Sequence, residues 1–82
     1  MEQKELRAKR QKLERQEKKL LEEIDTCEQK MADLQSKFSL PEIYSVAEKS
    51  KKLADEIEGV KAKIKELSNT WEEIAERLEE FQ

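Results

Sequence analysis

Apolar residues return at two places in every seven along most of this chain. From Ile43 to Phe81 the first of these places, position a, holds Ile43, Ser50, Ile57, Ile64, Trp71 and Leu78. The second, position d, holds Val46, Leu53, Val60, Leu67, Ile74 and Phe81. Only Ser50 is polar, and the residues between are mostly Lys, Glu, Asp, Ser and Ala. An alternating three-four spacing keeps one narrow stripe on one side of a helix, which predicts a coiled-coil helix over about residues 46–81. The first half of the chain offers that stripe a partner. Leu6, Leu13, Leu20, Cys27 and Leu34 take position d, with Ile24, Met31 and Phe38 at a, while Gln3, Arg10 and Glu17 fill the earlier a positions. Neither Gly nor Pro interrupts residues 2–38, so a first helix is predicted there.

Between the two lies Ser39-Leu40-Pro41-Glu42-Ile43-Tyr44-Ser45. Pro41 lacks a backbone N–H and disfavours a helical Leu40, so the first helix should stop by about residue 39. Ser39 with Glu42, and Ser45 with Glu48, both have capping-box spacing, which predicts a short helical turn around residues 41–44 before the second long helix, and leaves open whether that helix is continuous from residue 41. The fold class is therefore all-α. It is an antiparallel two-helix coiled-coil hairpin over residues 1–82, with a turn and short helical segment over about 39–45. If the helices are matched end to end, Met31 meets Leu53, Cys27 meets Ile57 and Leu20 meets Ile64. Leu13 then meets Trp71, Leu6 meets Leu78 and Gln3 meets Phe81, and each helix is about 54 Å long. Leu20, Ile24, Cys27, Met31, Leu34, Leu53, Ile57, Val60, Ile64, Leu67, Trp71 and Ile74 form the expected core. Arg10 at the seam would either stack on the Trp71 indole or reach to water.

Composition narrows the function classes. Charged residues make up 45% of the chain and aromatics 5%, and apolar residues are spaced rather than scarce, which favours long helices over disorder. The net charge of −3 excludes a generally basic nucleic-acid binder, so any phosphate contact must come from a local patch. With no histidine and one cysteine, neither a disulfide within the chain nor a metal site is expected. No apolar run approaches the roughly 20 residues that span a bilayer, so no membrane partner is expected. A monomer in the cytoplasm is. A two-helix hairpin has no useful pocket, so an enzyme and catalytic residues are not expected, and Glu22-Glu23 and Glu72-Glu73 read as solvated faces.

One feature carries chemistry. Eight basic residues crowd residues 4–19, and of these Lys4, Lys12, Arg15, Lys18 and Lys19 fall at outer b, c and f positions, free to meet phosphates. Lys49, Lys51 and Lys52 form a second cluster near the turn. The same lysines and arginines also read as a solvated face that neutralises the acidic C-terminal arm, where residues 66–82 hold six acidic and one basic side chain. No helix carries the polar and aromatic array needed to read or stack bases, so contact would rest on shape and charge. The competing reading is a rigid docking arm for another protein, without nucleic-acid binding.

Pro41-Glu42-Ile43-Tyr44 after the first helix, and Trp71-Glu72-Glu73-Ile74 near the end of the second, resemble the C-terminal coiled-coil hairpin of ABC-F ATPases of the Uup type. The lysine- and arginine-rich stretch from Gln3 resembles that family's lead-in to the hairpin, so the resemblance covers essentially the whole chain. It implies a parent with two nucleotide-binding domains that uses ATP and Mg and acts on ribosomes or nucleic acid. It also implies that this hairpin is an accessory module contacting DNA or ribosomal RNA, with no cofactor of its own.

Overall fold

The computed structural model describes residues 2–81, with side chains from residue 3. Helix α1 runs Glu2–Ser36, a 3-10 turn covers Lys37–Ser39, α2 is Pro41–Tyr44, and α3 runs Ala47–Glu79. No strand occurs among the described residues. Helices α1 and α3 lie side by side in opposite directions, giving a rod of 65 × 14 × 14 Å. Its radius of gyration is 18.7 Å, where a compact chain of this length would have about 12 Å. The all-α hairpin read from the heptads is the architecture found.

Local chemistry explains where each helix stops. Leu40 is extended (φ −78°, ψ 128°), as the residue before a proline should be, and Pro41 starts α2 at its first position. The last turn before it tightens to 3-10, with Leu40 N–H donating to the Lys37 carbonyl at 3.1 Å. After α2, extended Val46 (φ −119°, ψ 108°) breaks the path, so the second long helix is not continuous from residue 41. The two capping boxes do not form. Leu40 and Val46 occupy the N-cap positions and neither makes a side-chain cap. Ser39 instead donates its hydroxyl to the Ser36 carbonyl at 2.8 Å, and Ser45 donates to the Pro41 carbonyl. Both serines close the end of a preceding turn, because the break falls one residue later than each box requires.

Ser50, the polar exception in the seam, has a partner: its hydroxyl donates to the Ile43 carbonyl at 2.8 Å in a half-buried position. That bond ties the start of α3 to α2. Beneath it sits the tightest packing in the molecule, where Leu34, Leu53 and Ile57 are only 5–6% exposed and Met31, Ile43 and Val60 pack against them. Ile74 is the one other buried apolar side chain among the described residues. Leu20, Ile24, Cys27, Ile64, Leu67 and Trp71 are half-buried, as a seam between only two helices must be.

The matched-end register is not the one observed. Leu34 joins Leu53, Cys27 shares a groove with Val60, and Leu6 shares one with Phe81. These pairings lie three residues past the expected partners, and Leu13 beside Phe81 and Leu20 beside Ile74 lie further past theirs, so α3 is displaced by one helical turn or more. The reason is the connection: α1 yields to a 3-10 turn at Lys37, and α2 then packs against α3 and that turn, so the reversal uses up chain before α3 meets α1. As a result α1 begins beyond the end of α3, Leu6 is half-exposed, and the rod exceeds the expected 54 Å. Phe38 and Val46, expected to close the seam at the turn, are 36% and 40% exposed.

Candidate nucleic-acid interface

The outer face of α1 follows from helix geometry alone. At about 100° per residue, Lys4, Lys12, Arg15, Lys18 and Lys19 fall within an arc of about 120°, centred opposite the d positions that face α3. Ala8 and Gln11 fill the remaining positions of that arc between residues 4 and 19, and one acidic residue, Glu5 at outer position c, lies at its edge beside Lys12. All five basic residues are exposed. Over this length the stripe extends about 22 Å, from 15 residues at 1.5 Å rise.

The five are not equivalent. Arg15 lies nearly opposite the seam by helix geometry, whereas Lys12 and Lys19 stand at the edge of grooves between the helices. Lys12 shares its groove with Lys9, Arg77 and Glu80, and Lys19 shares another with Glu73, Arg77 and Glu23. Opposite charges therefore face each other across the pair, but the ion pairs formed among the described residues lie within single helices. These are Arg10–Glu14 at 3.1 Å and Lys61–Glu58 at 3.6 Å. Both are half or more exposed, where such pairs contribute little to stability. Lys9 and Arg77 join Lys12 only because of the shifted register, and outer heptad positions gave no signal for them.

Arg10 does not reach the Trp71 indole. It lies beside Phe81 and Glu80, and its Nε donates to Glu14. Trp71 packs in the seam with its Nε1 buried and without a hydrogen-bond partner. Cys27 is a half-buried free thiol flanked by Thr26, Lys30, Val60 and Lys63.

Lys49, Lys51 and Lys52 are exposed on the first two turns of α3, at the hinge end. The structure does not bring them to the α1 stripe; the centres of the two clusters are about 35–40 Å apart along the rod. The remaining turn residues sit at the same hinge end: Ser39 and Ser45 as described, Pro41 starting α2, and Tyr44 pointing outward at 61% exposure. Among the described residues no group of side chains could hold a metal ion, and no helix is long and apolar enough to cross a membrane. The grooves are open and shallow, with a mixed polar and apolar lining. The family model described as ABC transporter C-terminal domain matches residues 1–76. No curated protein and no solved structure matches the chain.

Proposed function

This chain belongs to the ABC transporter C-terminal domain family, and we propose that within its parent protein it contacts nucleic acid non-specifically through the basic stripe of α1. As a member of that family it is an accessory domain rather than the ATPase itself. The observation that carries the proposal is the arc of Lys4, Lys12, Arg15, Lys18 and Lys19 opposite the seam, with Glu5 the one acidic residue at its edge. A face needed only to balance the acidic arm of α3 would point its cations towards that arm. Arg15 stands nearly opposite that arm by helix geometry, and all five are exposed.

Assignment to the Uup type of ABC-F proteins belongs to the same proposal, supported by the Pro41–Tyr44 and Trp71–Ile74 elements. Duplex DNA and structured RNA, including ribosomal RNA, present the same phosphate chemistry to such a stripe. The acidic residues Glu73 and Glu80 beside Lys19 and Lys12 hold the affinity down. The isolated domain should bind in the non-specific range, on the order of 10⁻⁴–10⁻⁶ M at physiological salt. Tethering to a parent raises the effective concentration and makes contacts of this strength useful.

The test is a titration of duplex DNA and folded RNA across several salt concentrations, with the five residues changed to Gln in one variant. Binding should weaken with salt on a log–log slope near −0.9 per phosphate contact for duplex DNA, and the variant should lose most of that slope. A variant that binds as well as the parent sequence would show the stripe to be only a solvated face, leaving the protein-docking reading.

A further inference from the structure

The hinge end carries an arrangement that the basic stripe does not explain. Of the six large apolar side chains left exposed among the described residues, four lie within the connection between α1 and α3: Phe38, Leu40, Tyr44 and Val46. The chain has four aromatic residues. Trp71 and Phe81 are half-buried in the seam, while Phe38 and Tyr44 are exposed at the tip.

The exposure of Tyr44 is built into the backbone. Ile43 is drawn into the Leu34–Leu53–Ile57 cluster, and its carbonyl accepts both the Ser50 hydroxyl and the Val46 N–H. On the other side, the Ser45 N–H and hydroxyl both donate to the Pro41 carbonyl. Tyr44 lies between two fastened residues and is turned outward by the anchoring of its neighbour. A ring presented on ordered backbone gives up little further freedom when a flat partner settles on it.

The surroundings are basic. Residues 37–52 hold four lysines, Lys37, Lys49, Lys51 and Lys52, against Glu42 and Glu48, within a chain whose net charge is −3. Exposed aromatic faces among lysines are what single-stranded nucleic acid requires: bases stack on rings while the flanking phosphates meet cations. A duplex offers no free base face. The end of a rod 14 × 14 Å across is also small beside the roughly 800 Å² per partner of a stable protein interface, whereas one or two stacked bases need little area.

We infer that the hinge end is a second nucleic-acid contact, selective for unpaired nucleotides, in which the Tyr44 and Phe38 rings stack on bases and Lys37, Lys49, Lys51 and Lys52 meet the adjoining phosphates. The inference shares its ligand class with the function proposed above but uses different residues at the opposite end of the rod.

The experiment uses the whole chain with short oligothymidylate and oligouridylate strands and a duplex of equal length. Tyr44 is the chain's one tyrosine, so its ring resonances identify themselves. They should move upfield with either strand and stay in place with the duplex. Tyr44→Ala, checked for unchanged helicity, should weaken single-strand binding by about 10-fold, the scale of one base–ring stack, while Tyr44→Phe retains it. Duplex binding should be indifferent to both changes and should fall in the five-Gln stripe variant. If Tyr44→Ala binds the strands as well as the original, or if the Tyr44 resonances stay in place, the inference is overturned and the tip is left to a protein partner. Duplex binding that still depends on the stripe would then leave the first proposal standing. Loss of single-strand binding in Tyr44→Ala, with duplex binding unaffected by the stripe variant, would overturn the first proposal and uphold this one.

Discussion

Leu34 and Leu6 both occupy position d of the same helix, and the heptad pattern treats them alike. The structure does not: Leu34 is 5% exposed in the hinge cluster, while Leu6 is 52% exposed near the open end. Leu34→Ala removes side-chain atoms held between Leu53 and Ile57 and leaves a void that two clamped helices fill poorly. The lost transfer energy and the cavity together should reach about 3 kcal/mol, within the range for buried Leu→Ala changes. Leu6→Ala loses about half of the roughly 1.5–3 kcal/mol that full burial provides and opens no cavity, so about 1 kcal/mol is expected. Equilibrium urea unfolding followed by helical circular dichroism measures both, and unchanged slopes would show that the unfolded states are comparable. In thermal unfolding each kcal/mol should move the midpoint by about 4–8 °C in a domain of this size. Equal losses at the two sites would refute the claim that packing is concentrated at the hinge, and with it the observed register.

Three further outcomes are expected. Glu17→Leu should stabilise by about 1 kcal/mol in the same urea assay, because Glu17 is half-buried at a seam position and an apolar side chain there gains partial burial; destabilisation would mean the carboxylate is held by a partner. Gly59→Ala should add about 0.5–1 kcal/mol, since Gly59 is exposed within α3 and an added Cβ meets nothing within 4 Å; a loss of stability would indicate a close neighbour in solution. Under mild oxidation, native Cys27 should form an intramolecular disulfide with Val60→Cys more readily than with Ile57→Cys, read as a mobility shift on a non-reducing gel, and the opposite order would restore the matched-end register.

The helices, their direction and the seam residues were legible because a three-four apolar spacing admits few other arrangements, and Pro41 marks the reversal without ambiguity. Register was not. Sliding α3 along the seam replaces one set of apolar neighbours with another of nearly equal quality, and the choice then rests on how much chain the reversal consumes. That length depended on α1 ending in a 3-10 turn and on α2 packing back against α3, neither of which shows in periodicity. Ser39 and Ser45 had the right spacing for N-caps, yet a hydroxyl one residue before the break bonds backwards to a carbonyl instead. The basic stripe was visible because outer heptad positions are exposed in any register. The approach of Arg77 and Lys9 to Lys12 required the actual register, and the exposure of Tyr44 required knowing that Ile43 turns inward.

The closed hinge end has a consequence for how such an arm changes in length. Ile43 and Ser50 seal that end with contacts confined to the connection and the adjoining turns, so register is decided there and simply inherited along the seam. Seven residues added to each helix at matching heights would lengthen the rod by about 10 Å at 1.5 Å per residue, without altering the hinge or the pairing on either side. Seven added to one helix alone would keep the apolar stripe in phase but give every later residue a partner one heptad removed. The hairpin is in this sense a ruler with a fixed end stop, on which reach can be reset in paired increments.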